Sequence, residues 1–398
     1  MRLQKYNIGI VGAGIAGLAT ALALLKSGHR VRIFEKAAEL GEVGAGLQLS
    51  GNATRVLSSL GVLSDVQRAG FLPQGLKMSH WKSGATIARF SQNENVASGD
   101  YPYIHIHRAD LHGILLAAVT KIAPAAIVTD AEVIHIETSE KTAAIQFSNR
   151  EQETFDWVVG ADGIHSIVRS IAVPSIGESR FTGNVAWRGL IPIASLSEKP
   201  EPLTHLVMGP GGHVVFYYVN GGEAVNYVAV IERSGWEKES WTEKGSVKEM
   251  LRDFEGWNVG VKGLLEKSNP EKSYRWALHD RDPLPSWGGG RCIILGDAAH
   301  PMLPFLAQGA AMGIEDAQAF VHCLDSVPAS EVSDVFFQCR GKRTARVQLA
   351  ARKNMKIFHE RHYLVRFVRD RVLSMVSVIY PGFMSRKLRW LYDYRLSD

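Results

Sequence analysis

The N-terminal part of the chain alternates between short apolar runs and a longer segment with helical character. Residues 7–11 form a short apolar run, as does the stretch 31–34, and both are typical of buried strands. A helical run lies between them and ends at Ser27 and Gly28. The order strand, helix, strand favours an α/β fold at this end of the chain.

The pattern changes between residues 180 and 271. Runs such as 213–219 and 226–230 have the composition of strands and are separated by Gly-Gly turns. They predict a mostly antiparallel sheet in a second domain. Because ligand pockets favour domain junctions, we expect this sheet to lie across the first domain and to form the roof of a pocket.

The C-terminal part, after Ala345, is predicted to be helical and basic. Its apolar stretch 372–384 is interrupted by Pro381 and Gly382 and is shorter than the ~20 residues that a bilayer span needs. We therefore expect no membrane span. A helix that packs on the protein or on the partner of a homodimer is the commoner arrangement, and a helix on a membrane surface is the alternative.

The turn after the first predicted strand has the sequence GAGIAG, with Gly12, Gly14 and Gly17 in it and Glu35 about 20 residues further on. A lone GxGxxG motif is weak, but here it lies between a predicted strand and a predicted helix. Glycines in this setting permit a tight turn and a close approach to a pyrophosphate, and the acid binds ribose hydroxyls. The segment therefore predicts a dinucleotide site.

A second strand-to-helix segment occupies residues 291–320. The apolar run 292–295 precedes Asp297, a loop with prolines follows, and Gly309 begins a run with helical spacing. The carboxylate of Asp297 can accept hydrogen bonds from hydroxyls, and the free N–H groups of a helix start favour negative charge. This segment predicts a second contact with a polar cofactor.

Two intermediate segments complete the set. Residues 104–112 alternate, turn helical and contain Arg108, and residues 156–160 form an apolar strand before Asp162 in a turn. Glycine and acid sites dispersed over such distances imply one discontinuous cofactor domain. The histidines in 104–112 lack a neighbouring acid or cysteine cluster, so we expect no metal there.

The composition excludes several classes of function. At 398 residues the chain is long enough for two joined domains, and 46% hydrophobic with 21% charged residues is ordinary for a globular enzyme. The net charge of +5 is too mild and dispersed for nucleic-acid binding, although it favours small anions. Three cysteines without CxxC or metal spacing favour a reducing cytoplasm. Residues 1–25 superficially resemble a signal peptide, but their glycine spacing indicates a mature strand and helix.

Five segments, taken in order, resemble a known family. They are GEVGAGLQ at 41–48, HRADL at 107–111, DG at 162–163, WRG at 187–189, and GDAAHP with AQGAAMGIEDA within 296–317. Together they resemble the class A flavin monooxygenases, the aromatic hydroxylases related to salicylate and hydroxybenzoate hydroxylases. The resemblance covers roughly residues 7–360.

The resemblance implies a fold and its division into domains. The fold is α/β, with a Rossmann-like FAD-binding domain of the GR2 type, as in p-hydroxybenzoate hydroxylase, an antiparallel-sheet substrate domain and C-terminal helices. We expect the FAD-binding domain at residues 1–75, 100–178 and 272–345, the substrate domain at 76–99 and 179–271, and the C-terminal helices at 346–398.

The resemblance also implies a reaction. FAD is bound, NADH or NADPH reduces it transiently, and O2 gives a flavin C4a-hydroperoxide that hydroxylates an aromatic acid of the salicylate or hydroxybenzoate type. Two alternatives remain open. One is a flavoenzyme of the same fold that acts on a quinone, an isoprenoid or another heteroaromatic substrate. The other is a non-catalytic FAD-binding protein.

The resemblance assigns residues to both ligands. The expected FAD contacts are Gly12, Gly14, Ala16, Gly17, Glu35, Lys36, Gly46, Gln48, Arg108, Asp162, Asp297, Gly309 and Ala310. The expected substrate contacts are Gln48, Arg188, His213, Tyr217, Pro304 and Phe305. For Gln48 a solvent-facing loop position is an equal alternative, and Arg108 could be a surface residue at a helix start.

The expected catalytic residues are His213, Tyr217 and Pro304. His213 and Tyr217 are four residues apart, which places both on one face of a strand. His213, directly or through Tyr217, is the expected base that activates the ring hydroxyl. The alternative is a buried pair in a sheet. The apolar loop 301–306 is expected to exclude water, although Pro304 replaces a polar residue of related hydroxylases, so a substrate hydrogen bond is in question.

Overall fold

Two large β-sheets face a common cavity in the computed structural model, which describes residues 4–41, 45–91, 101–173, 179–233 and 244–396. Residues 42–44 of the second glycine-rich segment lie outside the described residues. The first sheet carries the glycine-rich turn, and the second forms the opposite wall of the cavity.

The first sheet has six strands in the order β17-β18-β11-β1-β2-β7, all parallel except the edge strand β17. Its strands are β1 (Asn7–Val11), β2 (Arg30–Phe34), β7 (Ile127–Val128), β11 (Trp157–Gly160), β17 (Gly288–Gly289) and β18 (Cys292–Ile294). Continuous apolar runs suit its inner strands because helices or loops cover both faces of a parallel sheet. The strands predicted at 7–11 and 31–34 are confirmed.

Helices cover this sheet and lead to the cavity. They are α1 (Ile15–Lys26), α4 (Arg108–Ile122), α5 (Ile167–Ala172) and α8 (Gly309–Ser326). The helix predicted from Gly309 is therefore confirmed. Small residues bring the starts of α1 and α8 together, since a Cβ added to Gly296 or Gly313 would lie 2.8 or 3.0 Å from the Cβ of Ala16.

The second sheet has seven strands in the order β16-β12-β15-β14-β13-β4-β5. Its strands are β4 (Gly75–His80), β5 (Thr86–Ser91), β12 (Arg180–Pro192), β13 (Thr204–Gly209), β14 (Gly212–Val219), β15 (Ala224–Glu232) and β16 (Tyr274–Asp280). All neighbours are antiparallel except β13 and β4, so the mostly antiparallel prediction is confirmed. One face packs on α6 (Val247–Asp253) and α7 (Val259–Glu266), and the other faces the cavity.

Two predicted domain boundaries need adjustment. Strand β16 hydrogen-bonds along β12, which places it in the second sheet although it follows residue 271. We therefore propose that the substrate domain extends to Asp280. The C-terminal helices also begin earlier than residue 346, because one continuous helix, α9, spans Val332–Phe358.

Smaller elements complete the fold. They are the antiparallel pair β3 (Gly46–Leu49) and β6 (Ile104–His107), helices α2 (Gly51–Ser59) and α3 (Leu63–Ala69), and the three-stranded sheet of β8 (Val133–Thr138), β9 (Ala143–Phe147) and β10 (Glu153–Phe155). The pair β3 and β6 presents Gln48 to the cavity.

The chain ends in two further helices, α10 (Tyr363–Ile379) and α11 (Phe383–Tyr392), which are separated at Pro381 as predicted. Leu373 of α10 and Met384 of α11 pack on the apolar cluster of β4, β5 and β13. The outer face of α10 is apolar and exposed, as at Val378 and Ile379. Within the described ranges, no helix combines the length and the apolarity needed to cross a bilayer.

Candidate active site

A cavity of about 790 Å³ lies between the two large sheets. Most of the residues assigned from the sequence line it: Gly12, Gly14, Ala16, Glu35, Lys36, Gly46, Gln48, Arg108, Asp162, Arg188, His213, Tyr217, Asp297, Pro304, Phe305, Gly309 and Ala310. Gly17 is the assigned residue that is not part of the lining. The structure thus collects segments from most of the chain around one space.

The glycines of the first turn have different structural roles. Gly12 has φ of 101° and would place a Cβ 2.5 Å from the carbonyl oxygen of Ala161. A Cβ on Gly17 would lie 2.0 Å from the carbonyl oxygen of Gly12. By contrast, a Cβ on Gly14 would meet no atom within 4 Å. Gly12 and Gly17 therefore allow the chain to pack on itself, and Gly14 leaves open space at the cavity wall.

Glu35, directly after β2, is held beside this turn. Its Oε2 accepts a hydrogen bond from the backbone N–H of Ala13 at 2.9 Å, and its Oε1 accepts one from that of Ala37 at 3.1 Å. These bonds fix the carboxylate at the rim of the cavity, where it remains able to accept further hydrogen bonds from hydroxyl groups.

The start of α8 presents backbone donors to the cavity. The first N–H groups of a helix have no partner within the helix, and α8 has no side-chain cap. Gln308 precedes Gly309 but uses its amide elsewhere, donating to the hydroxyl of Ser50 at 3.0 Å and accepting from Asn52 at 3.1 Å. The Oδ1 of Asp297 lies 3.8 Å from the position of a Cβ on Gly309. The helix start and this acid form one polar wall.

A buried ionic network holds α8 in place. Arg340 of α9 is fully buried and donates to Asp316 at 2.7 Å and also to Glu315. Burial alone would raise the pKa of Asp316, but the neighbouring His300 and Arg340 outweigh it and lower the pKa to about 2. The same carboxylate accepts the backbone N–H of Gly296 at 3.0 Å. The network thus ties the loop before α8 to α8 and α9.

Asp162 caps α5. Its Oδ2 accepts the backbone N–H groups of Ile167 at 2.8 Å and Val168 at 3.3 Å, and its Oδ1 accepts the hydroxyl of Ser166. Burial raises its pKa. The carboxylate therefore holds the turn after β11 against the start of α5, a structural role that the sequence did not indicate. Its contact with a cofactor stays a prediction.

The segment around Arg108 supports the site from the other side. Arg108 begins α4, and its backbone N–H donates to the carbonyl of Ala45 at 3.0 Å. The Nε2 of His112 lies 2.8 Å from the carbonyl oxygen of Ala13, and the Nε2 of His105 lies 2.9 Å from the hydroxyl of Thr204. These two histidines therefore brace the glycine-rich turn and the second sheet.

The roof of the cavity is one face of the second sheet. Along β14, His213, Val215 and Tyr217 line the cavity, whereas the intervening Val214 and Phe216 pack on the other side. This alternation follows from the two-residue period of a strand and places His213 and Tyr217 on one face, as predicted. Burial is the main cause that lowers the pKa of His213 well below its usual value.

The hydrogen bonds of this pair differ from the expected relay. The Nδ1 of His213 lies 2.8 Å from the Nε2 of His359 at the end of α9. Tyr217 instead interacts with Gln48, which also accepts the hydroxyl of Tyr103 at 2.6 Å. The expected route from His213 through Tyr217 is therefore not present as a direct bond between the two described side chains.

Arg188 of β12 introduces a positive charge into the roof. The residue is 3% exposed, and its guanidinium carbon lies 4.9 Å from the ring centroid of Trp276. Across the cavity, Phe305 is buried with its ring 5.2 Å from that of His213, and Pro304 beside it is exposed. The site therefore combines an apolar, aromatic wall with one buried histidine and one buried arginine.

Several cavity residues carried no recognisable signal in the sequence. They come mainly from the connection before β6 and from the C-terminal helices: Tyr103, Lys353, Asn354, Phe358, Leu373, Met384, Trp390 and Tyr392. His359 is in the same category, since it supports the roof from the end of α9. The helical pattern predicted these elements but did not indicate which surface they cover.

Comparison with known proteins gives a direct family match. Residues 5–349 match the family model described as FAD binding domain. The chain belongs to this FAD-binding family. The match extends from the glycine-rich turn to α8 and beyond, and it confirms FAD as the cofactor at the level of the family. The division into discontinuous domains stays a prediction.

Relatives within the FAD-binding family are aromatic hydroxylases. The chain is 36% identical to 3-amino-4-hydroxybenzoate 2-monooxygenase of Streptomyces cremeus, over 89% of this chain and 88% of that protein. It is 34% identical to 3-hydroxybenzoate 6-hydroxylase 1 of Aquipseudomonas alcaligenes, over 97% of each. A salicylate hydroxylase substrate complex superposes with a TM-score of 0.80 at 26% identity, over 98% of this chain and 96% of that chain. The predicted fold and flavoprotein monooxygenase class are confirmed.

Proposed function

We propose that this FAD-binding protein hydroxylates an aromatic acid that carries a ring hydroxyl. In this arrangement Arg188 binds the carboxylate and His213 accepts the proton of the hydroxyl. The observation that carries the proposal is that both side chains line one face of the roof, opposite the glycine-rich turn and the start of α8. When bound, FAD reduced by NADH or NADPH activates O2 and supplies the oxygen atom.

The walls opposite the roof fit FAD. Gly14 leaves room where a pyrophosphate would approach the first turn, and Glu35 offers a carboxylate to ribose hydroxyls. The free N–H groups at Gly309 favour negative charge, as a reduced flavin ring carries. These residues would hold the cofactor and neutralise part of its charge.

Arg188 supports an acidic substrate. Its guanidinium lines the roof of the cavity, on the same face as His213. A guanidinium also matches a carboxylate in shape, with two parallel donors. The adjacent ring of Trp276 offers an aromatic surface for the substrate ring. An aromatic carboxylate satisfies both features at once.

His213 supports a phenolic substrate. Since burial lowers its pKa, the imidazole is neutral at ordinary pH and has a free lone pair. With Nδ1 engaged by His359, Nε2 is the ring nitrogen left for the cavity. A base at this position increases the electron density of the ring by removing the proton of its hydroxyl. The apolar Leu303 and Phe305 help to exclude water.

The proposal is tested with purified protein and a panel of acids. The relatives are named for 3-amino-4-hydroxybenzoate and 3-hydroxybenzoate, so these two acids and salicylate are the first to compare. We expect at least one to accelerate NADH or NADPH oxidation and to be recovered as hydroxylated product. A panel without any acceleration, or acceleration only by a quinone or an isoprenoid, would contradict the proposal.

The role of His213 is tested by His213→Ala. Because general-base assistance is typically worth ~10²–10⁴-fold, hydroxylation should fall by this order, whereas nicotinamide oxidation continues and releases hydrogen peroxide. His205→Ala is the matched control. His205 is also buried, on the neighbouring β13, but its side chain does not line the cavity, whereas Thr204 and Leu206 on either side of it do. If both variants hydroxylate with wild-type coupling, His213 is a packing residue.

A further inference from the structure

A row of titratable side chains leads from the cavity to the protein surface. The Nδ1 of His213 lies 2.8 Å from the Nε2 of His359. The Nδ1 of His359 in turn lies 3.9 Å from the Oε1 of Glu232, at the end of β15. The side chain of Glu232 is 31% exposed and pairs with Arg361, which is 70% exposed. The row thus begins at the roof of the cavity and ends in solvent.

The carboxylate at the end of the row selects one tautomer for both rings. A negative charge next to the Nδ1 of His359 favours a proton on that nitrogen. In the neutral ring the Nε2 of His359 is then an acceptor, so the Nδ1 of His213 must be the donor in their shared hydrogen bond. This leaves the Nε2 of His213 without a proton and available as a base.

The same surroundings prevent a proton from staying on either ring. Burial is the main cause that lowers the pKa of His213, and His359 adds to it. Burial, with a smaller effect from Arg361, lowers the pKa of His359 to about 4. Both imidazolium ions are therefore unfavourable at neutral pH. A proton taken from a substrate must be passed on.

We propose that His359 and Glu232 are positioning residues that set the tautomer of His213 and conduct the substrate proton to solvent. The inference rests on the proposed function, in which His213 accepts that proton. The transfer is balanced without a redox step. The substrate O–H bond breaks as a proton binds Nε2 of His213, the Nδ1 proton of His213 moves to Nε2 of His359, and the Nδ1 proton of His359 passes to Glu232 and then to water.

The last transfer needs a small approach or one bridging water, since 3.9 Å exceeds a direct hydrogen bond. Solvent is close enough for this, because Glu232 is partly exposed. Among the described residues, Glu232 is the carboxylate beside His359, and Arg361 is the charge that lowers its pKa. The rings of Phe305 and Phe358 enclose the two imidazoles. No other route for the proton is required.

The main chain holds these residues independently of the relay. The backbone N–H of Gly211 donates to the carbonyl of His359 at 3.0 Å, and the backbone N–H of Glu232 donates to the carbonyl of Gly211 at 2.7 Å. Side-chain substitutions at His359 and Glu232 therefore leave the connection between α9, β14 and β15 intact. This allows a relay role to be separated from a structural role.

The test uses the FAD-loaded enzyme with the acid of the panel that the wild type hydroxylates best. The variants are His359→Gln and Glu232→Gln, which keep size and polarity but interrupt proton transfer. At pH 7 we expect the yield of hydroxylated product per nicotinamide oxidised to fall at least roughly 10-fold, a partial loss of the ~10²–10⁴-fold that general-base assistance contributes. Raising the pH should restore the yield, because hydroxide then removes the proton.

Arg361→Gln is the control, because it removes the ion-pair partner of Glu232 and leaves the carboxylate. Loss of an exposed ion pair should change the yield by less than about fivefold. Wild-type yields in both Gln variants at pH 7 would overturn the relay. So would a loss of yield that high pH does not restore, or one that is explained by a lower FAD content. Failure of the wild type on the entire panel would instead contradict the proposed function.

Discussion

Substitution of two glycines in the same turn should affect two different properties, FAD binding for Gly14 and the stability of the apoprotein for Gly17. Gly14 has φ of −73° and ψ of −178°, which alanine adopts without strain, and its Cβ would meet no protein atom within 4 Å. Gly14→Ala should therefore leave the apoprotein stable. The new methyl group would however occupy the space that we assign to the pyrophosphate of FAD.

The magnitudes follow from packing. A Cβ on Gly17 would lie 2.0 Å from the carbonyl oxygen of Gly12, so Gly17→Ala forces the start of α1 away from the turn. Overpacking typically costs about 1–3 kcal/mol. We expect Gly17→Ala to lower the stability of the apoprotein by this amount. For Gly14→Ala the same cost arises only with the cofactor, which corresponds to a rise in the Kd for FAD of roughly 5- to 150-fold.

The assay has two arms. Thermal unfolding of protein stripped of flavin reports the stability of each variant, and a fall of roughly 1–4 °C is expected for Gly17→Ala. Titration of the same apoproteins with FAD, followed by flavin fluorescence, gives the Kd. If Gly14→Ala binds FAD as the wild type does, the cofactor does not approach this turn. If Gly17→Ala unfolds at the wild-type temperature, the packing argument is wrong.

Three further substitutions test other parts of the site. Arg188→Met should raise KM for the aromatic acid roughly 10- to 150-fold, which is the equivalent of a lost charged hydrogen bond. The KM for the corresponding primary amide should rise less, and an equal rise for both compounds would contradict carboxylate binding. Arg340→Met should destabilise the protein by about 3–5 kcal/mol in urea unfolding, because the fully buried Asp316 would lose its arginine partner, whereas Glu315 keeps Arg343. A cost below about 1 kcal/mol would refute the importance of the network. Tyr217→Phe should leave the pH profile of hydroxylation between pH 6 and 9 unchanged, since burial raises the pKa of Tyr217 far above its usual value and keeps it protonated. If the alkaline side of that profile moves in this variant, Tyr217 titrates in this range.

The FAD half of the site was the more predictable half. The turn at 12–17 and the start of α8 are made by backbone groups, and their conformation is specified by glycines close together in the sequence. The bounds of β1 and the first residue of α8 were predicted correctly for this reason. Resemblance to a family added the expectation that these segments, in this order, contact one FAD.

The substrate half was less predictable because its contacts join distant residues. His213 and His359 are separated by 146 positions, and nothing in the helical pattern of α9 indicates that its last turn supports β14. The pairing of the edge strand β16 with β12 was not foreseen for the same reason, since it joins distant parts of the chain. Strand composition predicts that a sheet forms but not which strands become neighbours.

By itself the sequence determined the fold class, the glycine-rich turn and the residues that a strand's period places on one face, because each depends on local conformation. Only the tertiary structure decided what those residues contact. It separated Gly14, which faces open space, from Gly17, which packs on Gly12, and it gave His213 a partner on α9 in place of Tyr217. Side-chain proximity of this kind results from the packing of whole elements, and no short stretch of sequence encodes it.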